Sequence, residues 1–197
     1  METYRVRRQA KKNIYVHNDL SNAAFHFKKS VDSRLEEGNR EGIAFEIMAC
    51  LSMLAFSFEA KINFLGAKLF QDNWNERQAF NNKVSQVIDK VKLGLPENER
   101  PYTAIKKLKT FRDSIAHGKP CTIEVDEVVE VDHDDLDRVV DLSAGWEDFC
   151  TESIMGEVYE DIEKIWQLLL SKSDLELFET ITQGSCGITL IEKITDK

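Results

Sequence analysis

The chain has 197 residues, 42% of them hydrophobic and 31% charged, with only nine glycines and three prolines, which is too apolar for a disordered tail and long enough for one globular domain with small appendages. Its net charge of −9 excludes indiscriminate coating of nucleic acid, which needs a basic surface to release phosphate counterions. The charge is uneven, however: residues 1–30 carry seven bases against two acids, and residues 124–197 carry twenty-one acids against five bases.

Residues 1–17 hold Arg5, Arg7, Arg8, Lys11 and Lys12 and read as a basic, solvated arm. No apolar block and no small-residue cleavage site follow them, so they are not expected to be a signal peptide. From Asn18 or Ser21 to Glu37, the apolar residues Leu20, Ala24, Phe27, Val31 and Leu35 recur at helical steps and Gly38 ends them, the pattern of an amphipathic helix. Glu41 to Phe70 is apolar nearly all round and reads as the buried central helix. Glu46, Glu59 and Lys61 interrupt it, and no run of about eighteen uncharged apolar residues occurs, so no membrane span is expected. A third helix is predicted through Phe80, Val84, Val87, Ile88 and Val91, stopped by Gly94-Leu95-Pro96. Pro101 opens a fourth with the stripe Ala104, Leu108, Phe111 and Ile115, closed by Gly118 and Pro120.

Between Cys121 and Val131 two short β-branched runs flank Asp126-Glu127, predicting a small hairpin or extended arm near 120–132. Helical spacing then resumes from Asp134 to Leu169, with a break possible at Ser143-Ala144-Gly145. The tail, 173–197, contains Cys186-Gly-Ile-Thr-Leu-Ile, a strand-like run suited to pairing with the arm or with another subunit. The expected architecture is all-α: an antiparallel four- to five-helix bundle over 18–172 with a small β appendage.

Cys50, Cys121, Cys150 and Cys186 are widely spaced and form no Cys-x-x-Cys pair, as expected of reduced thiols in a cytoplasmic protein. Gly-x-Gly-x-x-Gly, P-loop, Gly-x-Ser-x-Gly and His-Glu-x-x-His signatures are absent. The cluster Asp132-His133-Asp134-Asp135 with Asp137 offers ligands for a divalent cation, but a loop leading into a helix favours the same residues as caps. No metal and no cofactor is assigned.

Chemistry concentrates between Pro101 and Pro120, where Lys106, Lys107, Lys109, Arg112 and Lys119 face a single acid, Asp113. Phe111-Arg112-Asp113-Ser114-Ile115-Ala116-His117-Gly118 resembles the motif of HEPN domains: an Arg, a polar residue directly after it, a short spacer and a His at a helix end. Phe58-Glu59-Ala60-Lys61-Ile62-Asn63 looks like the polar-striped middle of a HEPN core helix, with Glu59 and Asn63 as supporting residues. A polar edge on a buried helix is the plainer reading of that pair. The resemblance implies a helical bundle, commonly a homodimer, and for many members metal-independent cleavage of RNA in toxin–antitoxin, abortive-infection or CRISPR systems. It further implies an antitoxin or sensor protein as partner.

The chemistry of those residue types agrees with that expectation. An imidazole with an ordinary pKa of ~6.5 exchanges protons near neutrality, and a helix C-terminus favours its charged form. The guanidinium of Arg112 donates a planar fork to phosphate and keeps its charge, Asp113 is placed to orient either group, and Lys106, Lys107, Lys109 and Lys119 would flank the RNA backbone. Five helical positions rotate by ~500°, so Arg112 and His117 do not share a face of a regular helix. The resemblance implies the remedy, two copies of the motif facing each other across a twofold axis. The alternative is a HEPN-like dimer that binds RNA or protein without cutting. The acidic C-terminal third and Lys119, which stands where the HepT-like subset has tyrosine, are its features.

Overall fold

The computed structural model describes residues 2–134, 140 and 142–194. In chain order its elements are strand β1 (Thr3–Asn13), helices α1 (Val16–Glu36), α2 (Ile43–Phe70), α3 (Phe80–Lys90), α4 (Tyr102–Ala116) and α5 (Glu152–Lys172), and strand β2 (Gln183–Ile194). The described chain is thus mostly helical, with one two-stranded antiparallel sheet.

Helix α2 is the hub because it is apolar on most of its circumference: Ile47, Leu51, Leu54, Phe58, Ile62 and Leu65 are all buried. Helix α1 lays Ala24 and Val31 against it and runs the opposite way, Ser21 meeting Ser57 at 2.6 Å near one end while Ser30 and Arg34 both reach Glu46 at the other. The turn between them uses Gly38 and Gly42 at φ of +71° and +67°, a region open to glycine without steric cost. Helix α4 is also antiparallel to α2, since Arg112 faces Glu59 and the end of α4 meets Met48. Helix α5 runs with α2, pairing Lys61 with Glu163 and Phe64 with Trp166.

After α2 the chain doubles back through a 3-10 turn at Gln71–Asn73, and Trp74 stacks on Phe70 with ring centroids 5.6 Å apart. Gly66 is required there. A Cβ at that position would lie 2.2 Å from the Trp74 ring. Helix α3 then starts with Phe80 on Phe58 and finishes with Lys90 over the Phe70 ring, in the same sense as α2. By length and composition α2 passes the test for a membrane span, with a mean hydropathy of 1.7 and 44% of that window buried. Its packing against the other helices supports a core helix.

Three expectations are corrected. The last helix begins at Glu152, where the Thr151 hydroxyl accepts from the Ile154 N–H at 3.2 Å; residues 142–151 are irregular apart from a 3-10 turn at Glu147–Phe149, and Leu136 and Val139 lie outside the described residues. Of the hairpin or arm expected near 120–132 the hairpin is overturned: residues 121–131 form neither hairpin nor strand and run exposed up to Glu130. Asp126-Glu127 lacks the glycine or asparagine that takes positive φ in a tight hairpin turn, and a short isolated hairpin is marginal in water. Finally, the basic N-terminal run is not a loose arm. It is β1, and its partner is the strand-like tail: Thr3 faces Ile194 and Asn13 faces Gln183, with a bulge opposite Arg5 and Val6. The segments 1–17 and 173–197 therefore join in one ribbon.

Alternation sorts the ribbon into two faces. Val6, Ala10, Cys186, Ile188 and Leu190 share one with Arg8 and Lys12; Arg5, Arg7, Gln9 and Lys11 share the other. Both strands are exposed along almost their whole length. At its root the Thr182 hydroxyl accepts from the Tyr15 N–H at 3.0 Å, and the Thr180 carbonyl accepts from Asn18 and His17 at 2.9 and 3.1 Å.

Candidate active site

Ala104, Ile105, Leu108 and Phe111 bury one face of α4, which fixes the directions of the polar residues between them. Arg112 follows the last of these anchors and lies over the α2–α3 junction. Its guanidinium is 3.5 Å from Glu59, 3.2 Å from Asp113 and 5.7 Å from the centre of the Phe80 ring. Glu59 also accepts from the buried Lys83 ammonium at 2.5 Å. The carboxylate of Glu59 thus sits between two cations and fixes Arg112 against an aromatic face.

Asp113 accepts from Lys109 at 2.6 Å. That hydrogen bond, opposed by partial burial and reinforced by the charges of Arg112, Lys109 and His117, holds its carboxyl below the ordinary aspartate range. Asp113 is therefore an anion at neutral pH, suited to orienting cations and unsuited to donating a proton.

His117 caps α4, its N–H bonded to the Asp113 carbonyl at 3.1 Å. Its side chain is exposed and lines a cleft of about 540 Å³ with Met48, Ser114, Ile115, Lys119, Cys121 and Trp146. The floor is largely apolar, and Ile115 belongs to it, so the α4 core stripe ends one turn earlier than its spacing predicts. A proton-exchanging imidazole, a lysine and an indole face on one open cleft suit a flexible polyanion whose bases stack.

The site residues read from the sequence divide into groups. Glu59, Arg112 and Asp113 come together, as do His117 and Lys119, but the cleft takes neither Arg112 nor Asp113. The lysines do not form one track: Lys106 approaches Glu97 and the Tyr102 ring, Lys107 pairs with Glu157 on α5, and Lys109 is spent on Asp113. Asn63, one turn beyond Glu59, has a buried side-chain oxygen without a hydrogen-bond partner among the described residues. Of the acidic cluster, His133 and Asp134 pair at 3.6 Å in open solvent, Asp135 and Asp137 lie outside the described residues, and the described residues contain no group of three metal-ligating side chains.

Sequence reasoning missed Lys83, Met48 and Trp146. Lys83 did carry a signal: it falls three residues after Phe80 and four before Val87, on the apolar stripe of α3, where a lysine requires a buried counter-charge. Trp146 reaches the cleft from a turn far along the chain, which no local pattern announces. Comparison with protein-family models, with curated proteins and with solved structures yields no match.

Proposed function

We propose that the chain is a metal-independent endoribonuclease of the HEPN type, a homodimeric cytoplasmic toxin or defence effector governed by an antitoxin or sensor protein. One observation carries the reading: the Arg112-Asp113-x-x-x-His117 segment ends α4 with an exposed imidazole in an open cleft and a guanidinium held ready by Glu59. In the reaction, an imidazole takes the proton of a ribose 2′-hydroxyl and the freed oxygen attacks the adjacent phosphorus. The phosphorus–5′-oxygen bond breaks, and an imidazolium protonates the departing oxygen. The products are a 2′,3′-cyclic phosphate and a 5′-hydroxyl. Arg112 stabilises the extra negative charge on the phosphorane. Because Arg112 and His117 leave α4 on different sides, a complete site takes Arg112 and His117 from two copies, with the cleft, Lys119 and Trp146 guiding the strand.

A second reading, a HEPN-like module that binds RNA or protein without cutting, is favoured by the pairing of Arg112 with Glu59 and Asp113 and of Lys107 with Glu157. The test is cleavage of a mixed-sequence single-stranded RNA in EDTA by the wild-type chain, His117→Ala and Arg112→Lys. The nuclease reading expects a cyclic-phosphate product and a fall of about 10²–10⁴-fold for His117→Ala. Arg112→Lys should fail to rescue, since an ammonium cannot reproduce the fork. Binding of the same RNA with no cleavage by the wild type would establish the module instead.

A further inference from the structure

We infer that residues 122–132 of one copy of this chain add as a third strand to the β1/β2 ribbon of a second copy. This surface is separate from the α4 cleft and does not rest on the nuclease reading. The argument begins with what the ribbon leaves unsatisfied. A two-stranded sheet has an unpaired row of N–H and C=O groups along each outer edge, and a ribbon without further cover is marginal in water. Here Val6, Ile188 and Leu190 on one face are 40%, 72% and 62% exposed. β1 carries five bases and no acid: Arg5, Arg7 and Lys11 lie on the other face, and Arg8 and Lys12 lie on the Val6 face, paired with Ile188 and Gly184. Only Arg5 has an ion-pair partner among the described residues, Glu192.

Residues 122–132 hold the complement. The odd positions Ile123, Val125, Val129 and Val131 are β-branched with Glu127 among them, and the even positions Glu124, Asp126, Glu130 and Asp132 are acidic with Val128 among them; the segment has no base. In an extended conformation this alternation gives a mainly apolar face that carries Glu127 and a mainly acidic face that carries Val128. The ribbon has the same period: one face mixes Val6, Ala10, Cys186, Ile188 and Leu190 with Arg8 and Lys12, and the other carries Arg5, Arg7 and Lys11. Laid along the outer edge of β1, the segment continues the Val6 and Ala10 face with Ile123, Val125 and Val129 and brings Glu127 to Arg8 and Lys12 on that face, while Glu124, Asp126 and Glu130 meet Arg5, Arg7 and Lys11. Edge hydrogen bonds supply affinity and the two faces fix register, the physics of strand addition. Nucleic acid would satisfy the bases alone and leave the apolar side chains and the acidic segment unexplained.

In the folded chain the segment does not pair with its own ribbon, which points the proposal to a second copy. The ribbon is rooted by Tyr15 and His17 against Phe64, whereas the segment leaves α4 beside Met48. Those two positions on α2 are roughly 24 Å apart at 1.5 Å per residue. Within the chain no hydrogen bond or ion pair among the described residues joins segment to ribbon.

The test is zero-length carbodiimide cross-linking of the full chain, with natural-abundance and ¹⁵N-labelled copies mixed at dilution and concentrated together. The expected products join Lys11 or Lys12 to Glu124, Asp126 or Glu130 and include peptides of mixed label. The same links with a single label only, or no such links, overturn the proposal. Charge exchange provides the second arm, with circular dichroism verifying the helices of each variant. Arg7→Glu/Lys11→Glu and Glu124→Lys/Glu130→Lys should each lower mixed-label cross-linking at least tenfold when alone, and mixing the two variants should restore it. Failure of the mixture to recover overturns the proposal. So does a ribbon variant that loses binding to single-stranded RNA while self-linking is unchanged, which would make the ribbon a nucleic-acid grip. RNA cleavage is not read in any arm, so the result stands apart from the fate of the nuclease reading.

Discussion

Lys83 has a side-chain exposure of 3% and, among the described residues, a single anionic partner, Glu59, itself 27% exposed and shared with Arg112. Removing an ammonium from water costs several kcal/mol, repaid only while its counter-charge stays in place. The two ends of this pair are therefore unequal. Glu59→Gln leaves a buried cation alone and should cost about 3–5 kcal/mol in urea unfolding. Lys83→Met removes the buried charge, keeps the stem volume and leaves Glu59 with Arg112, so its cost should stay below about 1.5 kcal/mol. Equal losses would show that Lys83 is hydrated in solution. Since Glu59 also orients Arg112, the proposed nuclease reading expects RNA cleavage to persist in Lys83→Met and to fall in Glu59→Gln.

Between elements, His17 clips the start of α1 to the turn that launches β2. It donates to the Thr180 carbonyl from a pocket made by the Tyr15, Phe64 and Trp166 rings. Burial, and then the charge of Lys61, push its imidazole below the ordinary value, although the Thr180 bond and Asp19 pull the other way. The folded protein thus favours neutral His17, and the unfolded chain binds the proton more readily. The stabilising contribution is complete above the ordinary imidazole pKa of ~6.5 and is lost as pH falls below it. Urea midpoints taken at pH 7.5 and 5.5 should drop for the wild type, and the drop should shrink in His17→Gln. An unchanged slope in the variant would assign the pH dependence to other groups.

The elements themselves were legible where their signal is local. Phe80, Val84 and Val87 mark α3, and Ala104, Leu108 and Phe111 mark α4, because a 3.6-residue period is written in neighbouring positions. The divergence of Arg112 and His117 followed from the same arithmetic. Half of the ribbon was legible, since the run from Cys186 read as a strand in search of a partner; β1 was not, because Val6 and Ala10 stand among arginines and lysines and acquire meaning from Leu190 and Cys186 at the far end of the sequence. Residues 122–131 misled for the opposite reason: their β-branched alternation is genuine, but no strand in the chain lies alongside to receive it.

At the scale of the whole molecule, a helical body built on α2 carries a ribbon that contributes almost nothing to the core. Local opening follows such differences in burial, from near zero in exposed elements up to the global value in core helices. Hydrogen exchange at dilution should therefore release the amides of β1 and β2 at least a hundredfold faster than those around Ile62 and Leu65. Comparable rates would mean that the ribbon is covered even in the monomer.

The register of that ribbon also sets a timetable. Arg5 meets Glu192 187 positions further along the chain, so at a synthesis rate of ~5–20 residues per second β1 waits roughly 10–40 s for its partner strand. The helices, whose contacts are closer in sequence, close first. During that wait the newborn protein displays a cationic strand beside a ribosome dense in RNA.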